Sequence, residues 1–367
     1  MKHKIPWAQP NYWGNEHKYV AEALDSTWIS GGKFLDQLEN DFSRWTSVQY
    51  ALATSNGTTA IHLAYLAAGL QPGDEVIIPG FCFLAAANVA LNMGAKPVFA
   101  EVDADTWCLT AESIAQVISP RTKIVVPVHT YGNSCRIDEI QDLCGQKKVT
   151  LIEDAAESLG TRYKGQLTGT FGDIGCFSFQ ATKTITTGEG GMVITNQKNL
   201  SDTMKLYRSH GMEKTRYWHE VAGLNFRLTN LQAALGCAQF EKLDSITTAH
   251  ARKDELYRKH LTNNSGITCQ SFEPDIDPVI WAIAVKLSTE AYPQGRDQVM
   301  KQMADAGIET RPGFYAASLM KHIYSNDVNP VPVCVDLSRQ IISLPSSPTL
   351  TSEEIEYICH QLNSLKR

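Results

Sequence analysis

The chain has 367 residues, 43% of them apolar and 20% charged, with a formal net charge of −6. That composition excludes a disordered, collagen-like or coiled-coil chain, and the acidic balance gives no reason to expect nucleic acid or a membrane surface as a partner. At roughly 150 residues per domain, the length fits two or three domains, or one large domain with a satellite.

No stretch reaches the ~18 uninterrupted apolar residues that a membrane helix needs. Residues 1–18 start basic but contain no apolar run, so a secretory signal is not expected. The nine cysteines are scattered and form no CxxC pair. They read as reduced thiols of a cytoplasmic protein rather than as a zinc or disulfide framework.

Residues 50–55 read as a short strand, followed by a helix through Ile61, Leu63, Ala64 and Leu66. Further short apolar runs follow at 75–79, 96–100, 123–127 and 150–154. The intervals of about 20–30 residues between them are long enough for crossover helices. Near-continuous apolar strands at this spacing predict a doubly wound α/β sheet covered on both faces. Two more strands are expected at 174–179 and 192–195, and a helix at about 200–209. One long helix is expected from 229 to 261, bridging two domains. A strand at 279–285 and helices near 296–306 and 352–365 suggest a small C-terminal α+β domain. The expected division is 1–245 for the large domain and 246–367 for the small one.

Ligands of open α/β sheets bind beyond the carboxyl ends of the strands. Four segments stand there or lead into the long helix. In residues 55–60 (SNGTTA), Gly57 and Thr58 open a helix, where free amides can either hold a phosphate or simply be capped by Ser55 or Asn56. Asp154 ends a strand whose preceding residues are apolar. It calls for a cationic partner such as a pyridinium nitrogen, or else caps the next helix. Lys183, within 175–191, lies among uncharged residues, with Ser178 five positions earlier and a glycine-rich turn after it. A desolvated lysine there could form a Schiff base with an aldehyde cofactor. In residues 223–232, Asn225 and Arg227 could face an anion or a second subunit, and Thr229 with Gln232 has the form of a capping box.

These four segments, in this order, resemble the DegT/DnrJ/EryC1/StrS family of sugar-nucleotide aminotransferases. The likeness runs from residues 27–31 through 71–76 and 94–99 to Thr310, Arg311 and Pro312. The family implies the aspartate-aminotransferase-like (type I) fold and pyridoxal 5′-phosphate as cofactor. It further implies that Lys183 carries the cofactor, Asp154 pairs with its ring nitrogen, and Glu157 stands where the family bonds its phenolic oxygen. Gly57, Thr58 and Ser178 would hold its phosphate, Phe83 would stack on its ring, and Asn225 would reach across a homodimer. The amino donor would be L-glutamate and the acceptor a nucleotide-linked keto-sugar. Residues 216–219 (RYWH), ahead of Gly223, most resemble the branch that aminates C4 of GDP-4-keto-6-deoxymannose for cell-surface polysaccharide.

Two departures concern the sugar. Gln180, Ala181 and Thr182 precede the lysine where that branch tends to have a Phe-Gly-Asn run. Ala316, Ala317 and Ser318 stand where many relatives have Pro-x-His. A UDP- or dTDP-linked substrate therefore stays open, as does a non-catalytic protein that binds the cofactor or a sugar nucleotide. His129, His219 and Arg311 are candidate substrate contacts, with a structural role open for His129 and a surface role for His219. No metal site is expected, since no HExxH or comparable pair occurs.

Overall fold

The computed structural model describes residues 4–262, 265–323 and 329–367. Two helices come first, α1 (Glu16–Asp25) and α2 (Lys33–Thr46). The strands that follow are β1 (Tyr50–Thr54), β2 (Glu75–Pro79), β3 (Lys96–Ala100), β4 (Thr122–Val125) and β5 (Thr150–Asp154). A small hairpin, β6 (Arg162–Tyr163) and β7 (Gln166–Leu167), leads to β8 (Ile174–Ser178) and β9 (Gly191–Thr195). Between the early strands run α3 (Gly57–Ala67), α4 (Ala85–Asn92), α5 (Ala111–Val117) and α6 (Ile137–Lys147).

Seven strands form one sheet in the order β1-β9-β8-β5-β4-β2-β3. Pairing is parallel from β3 through β2, β4 and β5 to β8, and antiparallel where β9 meets β8 and β1. The sheet is thus mixed and mostly parallel. Every residue of β2 and β9 is buried, as a sheet covered on both faces requires. One face packs Ile61, Leu63, Phe81 and Ile152, and the other packs Leu38, Phe42, Phe177 and Ala234.

After α7 (Lys198–Arg208) come α8 (Asn230–Phe240) and α9 (Leu243–Leu261). The single helix expected over 229–261 is therefore two. Lys242 leaves helical geometry at φ −110° and ψ 13°. Gln239, just before it, is tied to the N-terminal segment through Asn11 O (3.0 Å) and Glu16 Oε1 (2.6 Å). The break lets each helix bury its own stripe.

A four-stranded antiparallel sheet then forms from β10 (Ile267–Cys269), β12 (Ala284–Leu287), β13 (Arg311–Pro312) and β14 (Ile341–Ser343), while β11 (Ile276–Asp277) pairs with β6. It is packed with α10 (Arg296–Asp305) and α12 (Ser352–Ser364) around Tyr257, Ile283, Met303, Ile342 and Ile358, while α11 (Pro332–Gln340) turns Cys334 and Leu337 into the core of the large sheet. The strand expected at 279–285 is mostly irregular, since β12 begins only at Ala284. The carbonyls of Ile280 and Trp281 turn instead toward the Lys253 ammonium, at 3.0 and 3.2 Å.

The helices α1 and α2 were not foreseen, although α2 buries Phe34, Leu38, Phe42 and Thr46 at a regular four-residue spacing. That is the sequence signature of one helix face.

Candidate active site

The carboxyl ends of β1, β5 and β8 bring three of the four segments together. Asp154 closes β5 and is buried. Among the described residues its carboxylate receives one hydrogen bond, from the Ala156 amide at 3.1 Å. Burial pushes its pKa up, against that bond and the nearby Lys183 charge.

Glu157 follows on the loop, 3% exposed. One carboxylate oxygen accepts from the Tyr131 amide at 2.9 Å, and the other lies 3.6 Å from Lys183 Nζ. Tyr131 adopts a left-handed backbone, φ 59°, and this conformation presents its amide to the carboxylate. Burial raises Glu157 as well, with Lys183 opposing it.

Lys183 lies on the loop between β8 and β9. That loop is pinned from inside: the Phe179 amide donates to the Gly190 carbonyl, the Thr187 amide donates to the Phe179 carbonyl, and the Gln180 side chain accepts from Thr182 N and Oγ1. Burial lowers the Lys183 pKa, while Glu157 and Asp154 raise it. A half-buried lysine on a fixed loop, held toward its neutral form, is a competent nucleophile.

The helix α3 begins beside this loop. Asn56 caps it in a reciprocal pattern with Thr59, which leaves the first-turn amides of Gly57 and Thr58 without intrahelical partners. A Cβ on Gly57 would come 2.8 Å from Ser178 Cβ. Only glycine lets the helix end and Ser178 approach this closely. The segment of Asn225 is strapped alongside, by Ser55 N to Phe226 O at 2.9 Å and a Thr54–Arg227 bridge. Asn225 itself is exposed.

The remaining candidates fall in different settings. Phe83 is 61% exposed, with Phe314 as its ring neighbour at 6.4 Å. His129 is fully buried; Nε2 is 3.0 Å from Glu153 and Nδ1 accepts from the Cys135 amide at 3.2 Å. With both nitrogens engaged, none is left for a ligand. His219 is exposed, its Nδ1 2.6 Å from the His210 carbonyl. Arg311 is exposed, stacked over Trp7 at 4.0 Å and 3.9 Å from Glu309.

Two contributors escaped the sequence reading. The N-terminal residues Gln9, Pro10, Asn11 and Trp13 line the narrow cleft that contains Lys183. Trp281 places its ring centroid 3.6 Å from Lys183 Nζ. Neither carries a motif, and both arrive from distant parts of the chain.

The residues fit pyridoxal phosphate. Two buried carboxylates and one ammonium leave one negative charge uncompensated, at Asp154, where a protonated ring nitrogen would meet it. The Gly57–Ser178 cradle and the free amides of α3 suit its phosphate. Fold and site together are those of an aminotransferase. The chain belongs to the DegT/DnrJ/EryC1/StrS aminotransferase family, whose model matches residues 12–363, and its cofactor is pyridoxal phosphate.

It is 41% identical to the GDP-perosamine synthase of Escherichia coli O157:H7, over 98% of each chain. It is 39% identical to the GDP-perosamine synthase of Caulobacter vibrioides, over 99% of this chain and 98% of the other. The aminotransferase TlmJ from Streptoalloteichus hindustanus has the same fold, with a TM-score of 0.92, 26% identity and 98% of each chain covered.

Proposed function

We propose that this protein transfers the amino group of L-glutamate to the C4 keto carbon of a GDP-linked 4-keto-6-deoxy sugar, for a cell-surface polysaccharide such as O-antigen. The observation that carries the transfer chemistry is the Lys183 amine, largely shielded from solvent and held 3.6 Å from Glu157 beside Asp154. The sugar and nucleotide rest on the likeness to the two GDP-perosamine synthases.

Pyridoxal phosphate supplies the electron sink that makes a carbon-bound proton acidic. Lys183 would hold its aldehyde carbon and, once freed by the amino donor, would carry the proton that moves between the donor's α-carbon and the cofactor's C4′. The Asp154 carboxylate holds the proton on the ring nitrogen. Glu157 would bond the phenolic oxygen, and Phe83 would cover the ring. Gly57, Thr58 and Ser178 fix the phosphate. In the second half, Lys183 moves the proton in the opposite sense as the amine passes to the sugar. The kinetics are ping-pong.

The working unit is a homodimer in which the exposed Asn225 reaches the cofactor phosphate of the opposite subunit. Arg311 and His219 contact the sugar nucleotide. The large unit is 1–245 and the small one 246–367, joined through α9. No helix among the described residues is long and apolar enough to cross a membrane. All nine cysteines are free thiols, as suits the reducing cytoplasm.

The test is a panel of GDP-, UDP- and dTDP-linked 4-keto sugars with glutamate, with the amino-sugar product identified by mass and NMR. Turnover only with the GDP sugar, aminated at C4, is expected. Preference for another nucleotide, or amination at another carbon, overturns the substrate assignment.

A further inference from the structure

The Lys183 amine has two close neighbours, the Glu157 carboxylate at 3.6 Å and an indole. Its Nζ lies 3.6 Å from the Trp281 ring centroid, well inside the range of a cation–π contact. The same indole donates from Nε1 to the carbonyl of Thr182, the residue before the lysine, at 2.6 Å. Trp281 thus touches both the backbone and the amine of one short segment.

The indole is itself fixed from behind. Lys253 on α9 is 1% exposed, and its ammonium meets the carbonyls of Ile280 (3.0 Å), Trp281 (3.2 Å) and Ser346 (2.9 Å), with His250 Nδ1 at 2.9 Å. Three protons for three carbonyls satisfy a buried charge that would otherwise be costly. Burial pulls Lys253 down to about 7, with Asp254 working against it. Burial and the Lys253 charge hold His250 well below its ordinary value. On its other faces Trp281 packs edge-on against Trp7 at 5.8 Å and parallel to Tyr131 at 6.4 Å.

We propose that Trp281 is a positioning residue for Lys183. Its face gives the amine a resting place while it carries a proton and is not bonded to the cofactor, and the Lys253 ammonium fixes the indole in that pose. This rests on the reading of Lys183 as the cofactor lysine. It extends that reading to the interval in which the amine is free and must stay within reach of the reacting carbon. Among the described residues, the charged groups facing the amine are Glu157 and Asp154 on the carboxylate side. The indole is the uncharged contact beside them.

The experiment uses the cofactor-free protein and acetic anhydride, with the rate of Lys183 acetylation followed by peptide mass spectrometry across pH. Because a cation–π contact favours the charged amine, Trp281→Leu is expected to lower the Lys183 titration midpoint by about one pH unit. Trp281→Phe retains a ring and shifts it less. Lys253→Met, which frees the indole's backbone, shifts it in the same direction as Trp281→Leu. An unchanged midpoint in a Trp281→Leu protein with native circular dichroism overturns the proposal. If that variant does not fold, an unchanged midpoint in both Trp281→Phe and Lys253→Met does so. No sugar or cofactor takes part, so failure of the substrate panel leaves this result standing, and the reverse also holds.

Discussion

Glu153 and Asp154 are neighbours on β5, both buried carboxylates, and they point to opposite faces of the strand. Glu153 is saturated. It faces His129 Nε2 at 3.0 Å and accepts from the amides of Gly169 (2.8 Å), Phe171 (2.7 Å) and Gly172 (2.7 Å). Asp154 has the Ala156 amide alone among the described residues. The first carboxylate fastens the turn between β7 and β8; Gly169 sits there at φ +86°, where a Cβ would strike the Phe177 ring at 2.4 Å. The second is left with unmet bonding capacity at the sheet's ligand edge. Equal burial and equal charge therefore mean different things. A buried charge that the chain itself satisfies is architecture, whereas one left short is waiting for a ligand.

The comparison can be broken by exchanging the two groups' neutral analogues. Asp154→Asn should cost on the order of a hundredfold or more in turnover, while thermal stability holds or rises, because an unmet buried charge is removed. Glu153→Gln should do the reverse. Its amide N–H₂ would face backbone donors, at a cost of roughly 3–5 kcal/mol in unfolding free energy, with turnover per folded molecule retained. Denaturant melts and steady-state rates on the two variants decide it. A Glu153→Gln protein of native stability would sink the distinction.

A smaller effect is expected from Gly57→Ala. The new Cβ would crowd Ser178, so pyridoxal phosphate should bind about tenfold more weakly, worth ~1.4 kcal/mol, while the fold holds. A visible-absorbance titration of the cofactor-free protein measures it. Native affinity would place the phosphate elsewhere.

The smallest effect sharpens the saturated side. Glu16 accepts from the amides of Trp13 (2.7 Å) and Gly14 (2.8 Å) and from Gln239 (2.6 Å). Burial pushes its pKa up, but these hydrogen bonds outweigh it and bring it below 4.5. A carboxylate lowered by folding stabilises the native state above its unfolded pKa. That contribution fades as pH falls through the lower folded value. Glu16→Gln should therefore show a flatter fall in melting temperature between pH 5 and roughly 3 than the parent chain. Parallel curves would remove Glu16 from the acid response.

The sequence by itself determined the strand-forming runs of β1 to β5, β8 and β9, and the segments around Gly57, Asp154, Lys183 and Asn225. Each is local: an apolar run between turn residues, small residues before a helix, a carboxylate at a strand end. It also contained the α2 stripe of Phe34, Leu38 and Phe42, which could have been read and was not. Only the tertiary structure decided that 229–261 breaks at Lys242, that His129 is tied to Glu153 and Cys135, and that residues 279–283 leave strand geometry to meet Lys253. It alone brought Trp281 to Lys183 and Gly57 to Ser178. Those outcomes depend on which distant group satisfies a buried charge or fills a gap. Such partners are chosen by packing in three dimensions, and one residue's neighbours along the chain do not carry that information.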